Sequence, residues 1–167
     1  ISGFTNDGNK IPQQTIPQYY DKLGFSYNKF ADSITVSETE WDFERYKPDI
    51  VVINLGTNDM SYATTDERKA EFEDGYLDFL KKVRSLNPDS YIFQTYGVMG
   101  TSLEENIENV RRKYMSETGD ERITFIPLTM QDEDADGIVA DWHPSPKTHS
   151  LVSQKVTAAI KETLGYK

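Results

Sequence analysis

One short apolar run constrains the fold of this chain more than any other feature. Residues 50–55 are almost all β-branched or aliphatic, and the run is bounded by Pro48 and Gly56. It predicts a strand that is buried on both faces and central in a parallel sheet. Ligand crevices in open α/β sheets lie at the carboxyl ends of the strands. The residues predicted to lie at that edge are Thr57, Asn58 and Asp59.

The rest of the chain alternates between helix and strand patterns. Ser or Thr precedes Glu by three residues at Ser37, Thr64 and Ser102, and each of these capping boxes predicts a helix start. Proline, glycine and the apolar periodicity set the other boundaries. The predicted helices are 16–23, a short one carrying Trp41 and Phe43, 65–87, 103–118 ending at Gly119, and 146–164; the predicted strands are 50–55, 91–96 and 122–127.

This alternation predicts an α/β fold built on a parallel sheet with helices on both of its faces. The final helix is expected to bury a set of five apolar side chains, and Trp41 is expected to belong to the core. The five residues of the final helix are Leu151, Val152, Val156, Ala159 and Ile160.

Composition narrows the possible partners. The net charge is −10 and the pI is about 4.7, so nucleic acid or an anionic membrane surface would be repelled. No cysteine is present, which excludes disulfides, thiolate metal sites and a cysteine nucleophile. No apolar run approaches the ~20 residues that a membrane span needs. We therefore expect neither nucleic acid nor membrane as a partner.

The chain has only two histidines, His143 and His149. His143 precedes a proline between the third strand and the last helix, which places it at the same sheet edge as Asn58. With Asp141 nearby, it suits a general base that later returns its proton to a leaving group. His149 lies within the last helical pattern and is interpreted as structural. An amide at Asn58 can donate to a developing oxyanion.

Two motifs carry a resemblance to a known superfamily. Gly-x-Asn-Asp at 56–59 and Asp-x-His-Pro-Ser at 141–145 resemble blocks of the SGNH hydrolases, the GDSL-like lipases and esterases. Trp-Asp-Phe at 41–43 and Lys-Pro-Asp at 47–49 are similar, more narrowly, to carbohydrate esterase family 2. That family implies a three-layer α/β/α sandwich and removal of acetyl groups from plant cell-wall polysaccharides such as xylan, with no metal or organic cofactor.

The resemblance also implies site roles. Gly3 and Asn58 correspond to the oxyanion hole, and His143 corresponds to the base. The family's Gly-Asp-Ser block, which holds the nucleophile, precedes the glycine block by a strand and a helix and has no counterpart before Ile1. Residues 1–167 are accordingly expected to form one domain, the carboxyl two-thirds of the fold, which another segment of the same protein completes.

Ser33 is a second candidate for the nucleophile. Ala31-Asp32-Ser33 looks like the Gly-Asp-Ser block with alanine in place of glycine. The residues before it make a poor buried strand. Too few residues separate Ser33 from Gly56 to hold a helix, a second strand with the glycine block, and the short helix that carries Trp41. The group that orients His143 is also open, because the family places its carboxylate three residues before the histidine and Asp141 lies two before. A backbone carbonyl is the alternative.

Further residues are predicted around the cleft. Trp142 and Tyr62 are candidates for substrate binding, with Met60 as a possible neighbour, and Trp142 fits a sugar-stacking or a structural role equally. The acidic segment 132–137 imitates the start of a calcium loop but lacks its glutamate at the twelfth position, so a solvated loop is expected.

Three functions fit this pattern. The first is a serine-type carbohydrate esterase acting on acetylated polysaccharide or oligosaccharide, expected outside the cell because of its substrate. The second is a lipase or thioesterase of the same superfamily. The third is a non-catalytic carbohydrate-binding module that kept the fold without its nucleophile.

Overall fold

A three-stranded parallel sheet organises the computed structural model, which describes residues 15–24 and 34–166. The strands are β1 (Ile50–Asn54), β2 (Tyr91–Tyr96) and β3 (Ile123–Pro127), and they lie side by side in that order. Ile53 is opposite Gln94 in the register, and Gln94 is opposite Phe125. All three carboxyl ends therefore lie at one edge of the sheet.

Helices connect the strands and cover both faces of the sheet. The helices are α1 (Ile16–Tyr19), α2 (Asp66–Leu86), α3 (Glu104–Thr118), α4 (Glu133–Asp136) and α5 (Pro146–Leu164). Helices α2 and α3 pack on one face and α5 packs on the other, which gives the predicted α/β/α sandwich. Within the described ranges, no helix combines the length and apolar character that crossing a membrane requires.

The larger part of the core lies between the sheet and the helices α2 and α3. Tyr76 and Leu80 from α2 meet Ile92 from β2 and Ile107 from α3, and all four are fully buried. Helix α2 starts where Thr65 accepts a hydrogen bond from the Arg68 N–H at 3.4 Å. The helical spacing of the apolar residues predicted this helix correctly, but the N-cap is Thr65, one residue after the predicted Thr64.

The second core lies under α5 and corrects one prediction. Phe93 and Ile126 of the sheet pack against the side of α5 that carries Val152 and Val156, together with Ala159 and Ile160. Leu151, which was also predicted to be buried, is 48% exposed. It lies about 100° around the helix from Val152, so it points away from the sheet.

Strand β1 differs from its prediction as a strand buried on both faces. Val52 is 48% exposed, and within the described residues β1 is an edge strand paired only with β2. Helix α5 covers β2 and β3 through Phe93 and Ile126 and leaves Val52 beyond its reach. The apolar run therefore identified the strand, but it did not predict that Val52 is exposed among the described residues.

The helix predicted from the capping box at Ser37 does not form, and residues 36–39 and 43–45 are turns or bends. Thr39 donates its hydroxyl to the Thr35 carbonyl, and Asp42 accepts from the Glu44 N–H, so both side chains favour local turns over a helix. Trp41 is 37% exposed and is not part of the core, contrary to the prediction.

The boundaries of α1 and α3 also differ from their predictions. Helix α1 ends at Tyr19, because the following residues pair with a later segment through the Trp41 N–H to the Asp21 carbonyl at 2.9 Å. Helix α3 begins after Leu103, which takes the N-cap position instead of the predicted Ser102 and has no side-chain capping bond. The carboxyl end of α3 is as predicted, with Gly119 in the left-handed conformation at φ 70°.

Candidate active site

A cleft of about 400 Å³ opens at the carboxyl end of β1. It is the place where the loops after β1 and β2 meet the segment before α5. The predicted residues Asn58, His143 and Asp141 all line it, although they come from distant parts of the sequence. The described residues that line it are Asn54, Leu55, Gly56, Thr57, Asn58, Met60, Ser61, Met99, Asp141 and His143.

A tight turn after β1 presents Asn58 to the cleft. Gly56 has φ 125°, a value that side chains disfavour, and its carbonyl accepts from the Met60 N–H at 3.0 Å. The Asn58 carbonyl is held by the Ser61 hydroxyl at 2.7 Å. Asn58 is exposed, whereas the adjacent Asp59 is fully buried. The turn thus directs one polar side chain outward and the next inward, which leaves the Asn58 amide available as a donor.

His143 is oriented by a backbone carbonyl. Its Nδ1 lies 3.1 Å from the carbonyl oxygen of Ala140. Because a carbonyl can only accept, Nδ1 must carry the hydrogen in this contact, and Nε2 keeps its lone pair. A neutral imidazole in this tautomer can accept a proton at Nε2. The structure therefore favours the carbonyl over the Asp141 carboxylate as the orienting group.

The turn that supplies this carbonyl has an unusual backbone. Asp141 and Trp142 have φ values of 54° and 62°, both in the left-handed region that non-glycine residues rarely adopt. Its ends are joined by the Val139 N–H to the His143 carbonyl at 2.9 Å and by a bridge between Ile138 and Pro144. Strain of this kind is concentrated at functional sites in proteins.

Two methionines give the cleft an apolar wall. Met60 and Met99 line it from the loops after β1 and β2. The Tyr96 hydroxyl donates to the Met60 sulfur at 3.6 Å. Burial raises the pKa of Tyr96, so that its hydroxyl stays protonated and able to donate. This hydrogen bond holds the Met60 side chain in place at the cleft.

The remaining predicted residues have other positions. Tyr62 does not line the cleft; its hydroxyl donates to Glu71 at 2.7 Å and Arg68 lies 4.7 Å from its ring centroid. Trp142 is 62% exposed beside two lining residues. Gly3 and Ser33 lie outside the described residues.

The acidic segment is a capped turn. Asp132 accepts from the N–H groups of Asp134 and Ala135 at 3.1 and 2.9 Å, which uses its carboxylate as the cap of α4. In residues 15–24 and 34–166, no three acidic or histidine side chains are grouped as a metal site would need. His149 lies exposed on α5, away from the cleft.

Sequence reasoning missed Met99 and the role of Ala140. Met99 follows the end of β2, so the topological argument that found Asn58 could also have found this loop. Ala140 acts through its backbone, and neither its side chain nor its neighbours carry a signal for that contact. The left-handed turn at Asp141 and Trp142 could not be predicted from the sequence either, because neither residue is a glycine.

The sequence pattern of the GDSL-like Lipase/Acylhydrolase family matches residues 8–151. The chain belongs to this GDSL-like family. That membership confirms the resemblance carried by the Asn58 and His143 motifs and the fold expected from it. The family alone does not specify which ester is cleaved.

Several GDSL-like relatives are carbohydrate esterases. A cellulase/esterase, CelE, of Acetivibrio thermocellus is 36% identical over 148 residues, which are 83% of this chain and 17% of that protein. An acetyl xylan esterase from Butyrivibrio proteoclasticus has a TM-score of 0.84 at 25% identity, over 98% of this chain and 50% of the other.

A family two carbohydrate esterase from Clostridium thermocellum, solved in complex with cellohexaose, has a TM-score of 0.78 at 33% identity over 99% of this chain and 49% of the other. This chain thus spans about half the length of these solved relatives and a smaller part of CelE.

Proposed function

We propose that this chain carries the site of a serine-type carbohydrate esterase that removes O-acetyl groups from plant cell-wall polysaccharide such as xylan. The observation that carries the proposal is one cleft lined by an available amide, Asn58, and by a histidine whose Nδ1 is tied to a carbonyl. This pair supplies an oxyanion donor and a base, the two groups that a serine nucleophile requires.

The proposed reaction follows from that geometry. A serine hydroxyl attacks the acetyl carbonyl carbon while its proton passes to Nε2 of His143. The Asn58 amide and the Gly3 N–H stabilise the negative charge on the carbonyl oxygen. The C–O bond to the sugar then breaks, and the sugar oxygen takes the proton from His143. Water, deprotonated by His143, attacks the acetyl-serine; the bond to the serine oxygen breaks, that oxygen takes the proton back from His143, and acetate leaves.

The nucleophile is proposed to lie in a segment of the same protein outside residues 1–167. In this proposal the chain is the carboxyl part of a single SGNH domain, and the additional segment covers the exposed side of β1 at Val52. Ser33 is the competing candidate. Because a cell-wall polymer is the substrate, we also place the protein outside the cell.

A short acyl group is favoured by the small apolar part of the cleft's described lining, which consists of Leu55, Met60 and Met99. A lipase or thioesterase needs a longer apolar groove for its acyl chain. The discriminating assay compares release of acetate from acetylxylan with hydrolysis of long-chain acyl esters. Faster turnover of the long-chain esters would favour the lipase class instead.

Binding without catalysis is the second candidate, and the exposed indole of Trp142 favours it. A sugar ring can stack on such a surface. The Clostridium thermocellum relative was solved with cellohexaose, which is a chain of sugars without an acetyl ester. Affinity electrophoresis on xylan and cellulose tests this function: retardation without acetate release supports it, and equal retardation of Trp142→Ala removes Trp142 from the binding surface.

The decisive experiment is labelling of the protein with a fluorophosphonate, followed by peptide mapping of the modified serine. A label outside residues 1–167, removed by His143→Ala, is the expected result. A label on Ser33 would make this chain supply its own nucleophile. Absence of any label in folded protein would contradict the esterase and leave the binding function.

A further inference from the structure

The strained turn beside His143 requires something to hold it. A non-glycine residue in the left-handed region is energetically unfavourable, and here two such residues, Asp141 and Trp142, are adjacent. Conformations of this kind persist only where surrounding contacts fix them. The hydrogen bonds at the ends of the turn run from Val139 to His143 and from His143 to Ala140. Both lie within the turn, so they do not connect it to another element.

One side chain reaches the turn from another loop. Gln131 donates its Nε2–H to the carbonyl oxygen of Trp142 at 2.8 Å, across eleven positions of sequence. Its backbone N–H donates to the Val98 carbonyl at 2.9 Å, in the loop that follows β2. Gln131 therefore joins the exits of β2 and β3 to the turn that carries the histidine.

The contact is specific to the amide nitrogen. The Trp142 carbonyl can only accept, so a rotated amide would place two oxygens face to face. The Oε1 of Gln131 is buried and has no hydrogen-bond partner among the described residues. Among the described residues, the bond to Trp142 is thus the one hydrogen bond of the Gln131 side chain. A substitution that removes it therefore tests this interaction alone.

We propose that Gln131 is a positioning residue for His143. By holding the Trp142 carbonyl it keeps Asp141 and Trp142 in the left-handed turn, which places the Ala140 carbonyl against Nδ1 and leaves Nε2 free to accept a proton. Gln131 acts through the turn and does not touch the substrate. The inference rests on the proposed esterase only in giving His143 the role of base.

The test is the tautomer of His143, observed by imidazole ¹H–¹⁵N correlation spectra of the ¹⁵N-histidine-labelled full chain. At about pH 8.5 histidine is neutral, and the unchanged protein should show a single Nδ1–H form. Gln131→Met, which removes the donor at similar length, and Gln131→Glu, which places an acceptor against the carbonyl, should each convert it to a mixture with the Nε2–H form.

Two controls keep the result interpretable. The imidazole signal of His149, which lies on α5, shows whether each variant is folded. Gln154→Met makes the same substitution on the surface of that helix and should leave the His143 tautomer unchanged. A His143 signal that stays in the Nδ1–H form in both folded variants overturns the proposal. If one variant fails to fold, the other decides by the same criterion.

Kinetics give a second readout that separates this inference from the proposed function. If the protein is the proposed esterase, both variants should lose about 10- to 100-fold in kcat with KM changed less than about twofold. A tautomer change in a protein without esterase activity would support the role of Gln131 and contradict the function. Loss of activity with the tautomer unchanged would contradict the role.

Discussion

Asn58 is the residue on which the proposed chemistry depends most directly, through its side-chain amide. Asn58→Ala is expected to lower kcat by about 10²- to 10³-fold with little change in KM, because the amide would contact charge that develops only in the transition state. Steady-state release of acetate measures both constants. The matched control is Asn109→Ala on α3, far from the cleft, whose kcat should be unchanged; an equal loss in both variants would assign the effect to folding.

Asp120 joins the end of α3 to α2 and β3. Its carboxylate accepts from the Tyr114 hydroxyl at 2.9 Å and lies 2.7 Å from the Nε of Arg84. Partial burial alone would raise the pKa of Asp120, but the hydrogen bonds from the Arg122 N–H and Tyr114 and the charges of Arg84 and Arg122 outweigh it and lower the pKa. The folded state therefore favours the ionised carboxylate.

The lowered pKa sets the pH dependence of stability. The stabilisation is complete above the pKa of Asp120 in the unfolded chain and is lost as pH falls through the lower pKa of the folded state. Asp120→Asn should cost about 1–2 kcal/mol in the free energy of unfolding at neutral pH. Urea denaturation should show the difference from the unchanged protein shrinking between about pH 5 and about pH 2.

An exposed carboxylate provides the comparison. Asp74 pairs with Lys113 at 2.9 Å, with 70% of its side chain exposed. Asp74→Asn should change the unfolding free energy far less than Asp120→Asn, since solvent screens such pairs. If Asp120→Asn is as mild as Asp74→Asn, or if its cost is independent of pH, the role assigned to the Asp120 carboxylate is wrong.

At the residue scale, side chains with distinctive chemistry could be predicted and backbone roles could not. Asn58 and His143 were found because each follows a recognisable strand or precedes a helix in a short motif. The carbonyl of Ala140 and the left-handed backbone of Trp142 depend on the contacts of a folded loop. Tyr62 was placed by its proximity in sequence to Asn58, but Glu71 and Arg68 on α2 hold it elsewhere.

At the scale of elements, the start of α5 matters for the site because it follows His143 by three residues. Ser145 accepts from the Thr148 N–H at 3.2 Å and donates to the Asp136 carbonyl at 2.7 Å, and it is buried. Ser145→Ala should cost about 1–2 kcal/mol, because it removes the cap and leaves the partly buried Asp136 carbonyl without that donor. Chemical denaturation measures the loss.

The cap of α2 is the natural comparison. Thr65 accepts from the Arg68 N–H at the longer distance of 3.4 Å and is exposed. Thr65→Ala should therefore cost only about 0.5 kcal/mol. Equal losses at the two caps would show that the Ser145 bond to Asp136 adds nothing to capping.

Long periodic elements were predictable because local pattern and packing agree in them. Helix α2 carries apolar residues at helical spacing, and those that are buried all belong to one core cluster. Near Trp41 the capping pattern competes with turns formed by Thr39 and Asp42, and the turns prevail. The exposure of Val52 on β1 depends on which elements cover that face, and a single strand's composition does not encode this.

At the scale of the whole molecule, net charge affects which polysaccharides reach the cleft. The chain carries a net charge of −10, and Asp141 adds a carboxylate to the cleft itself. A xylan that bears acidic sugars should be repelled, whereas neutral acetylated xylan should not. Both polymers carry the same acetyl ester, so their comparison isolates the electrostatic part of substrate binding.

Salt should therefore lower KM for the acidic polymer alone. Raising NaCl from about 10 mM to about 300 mM shortens the screening length from about 30 Å to about 6 Å, which removes most of the long-range repulsion. Asp141→Asn should weaken this salt dependence without disturbing the turn, because asparagine tolerates the left-handed conformation at that position. Acetate release from both polymers across the salt series gives KM directly. The same response to salt on neutral and acidic xylan would mean that the molecule's charge does not select its substrate.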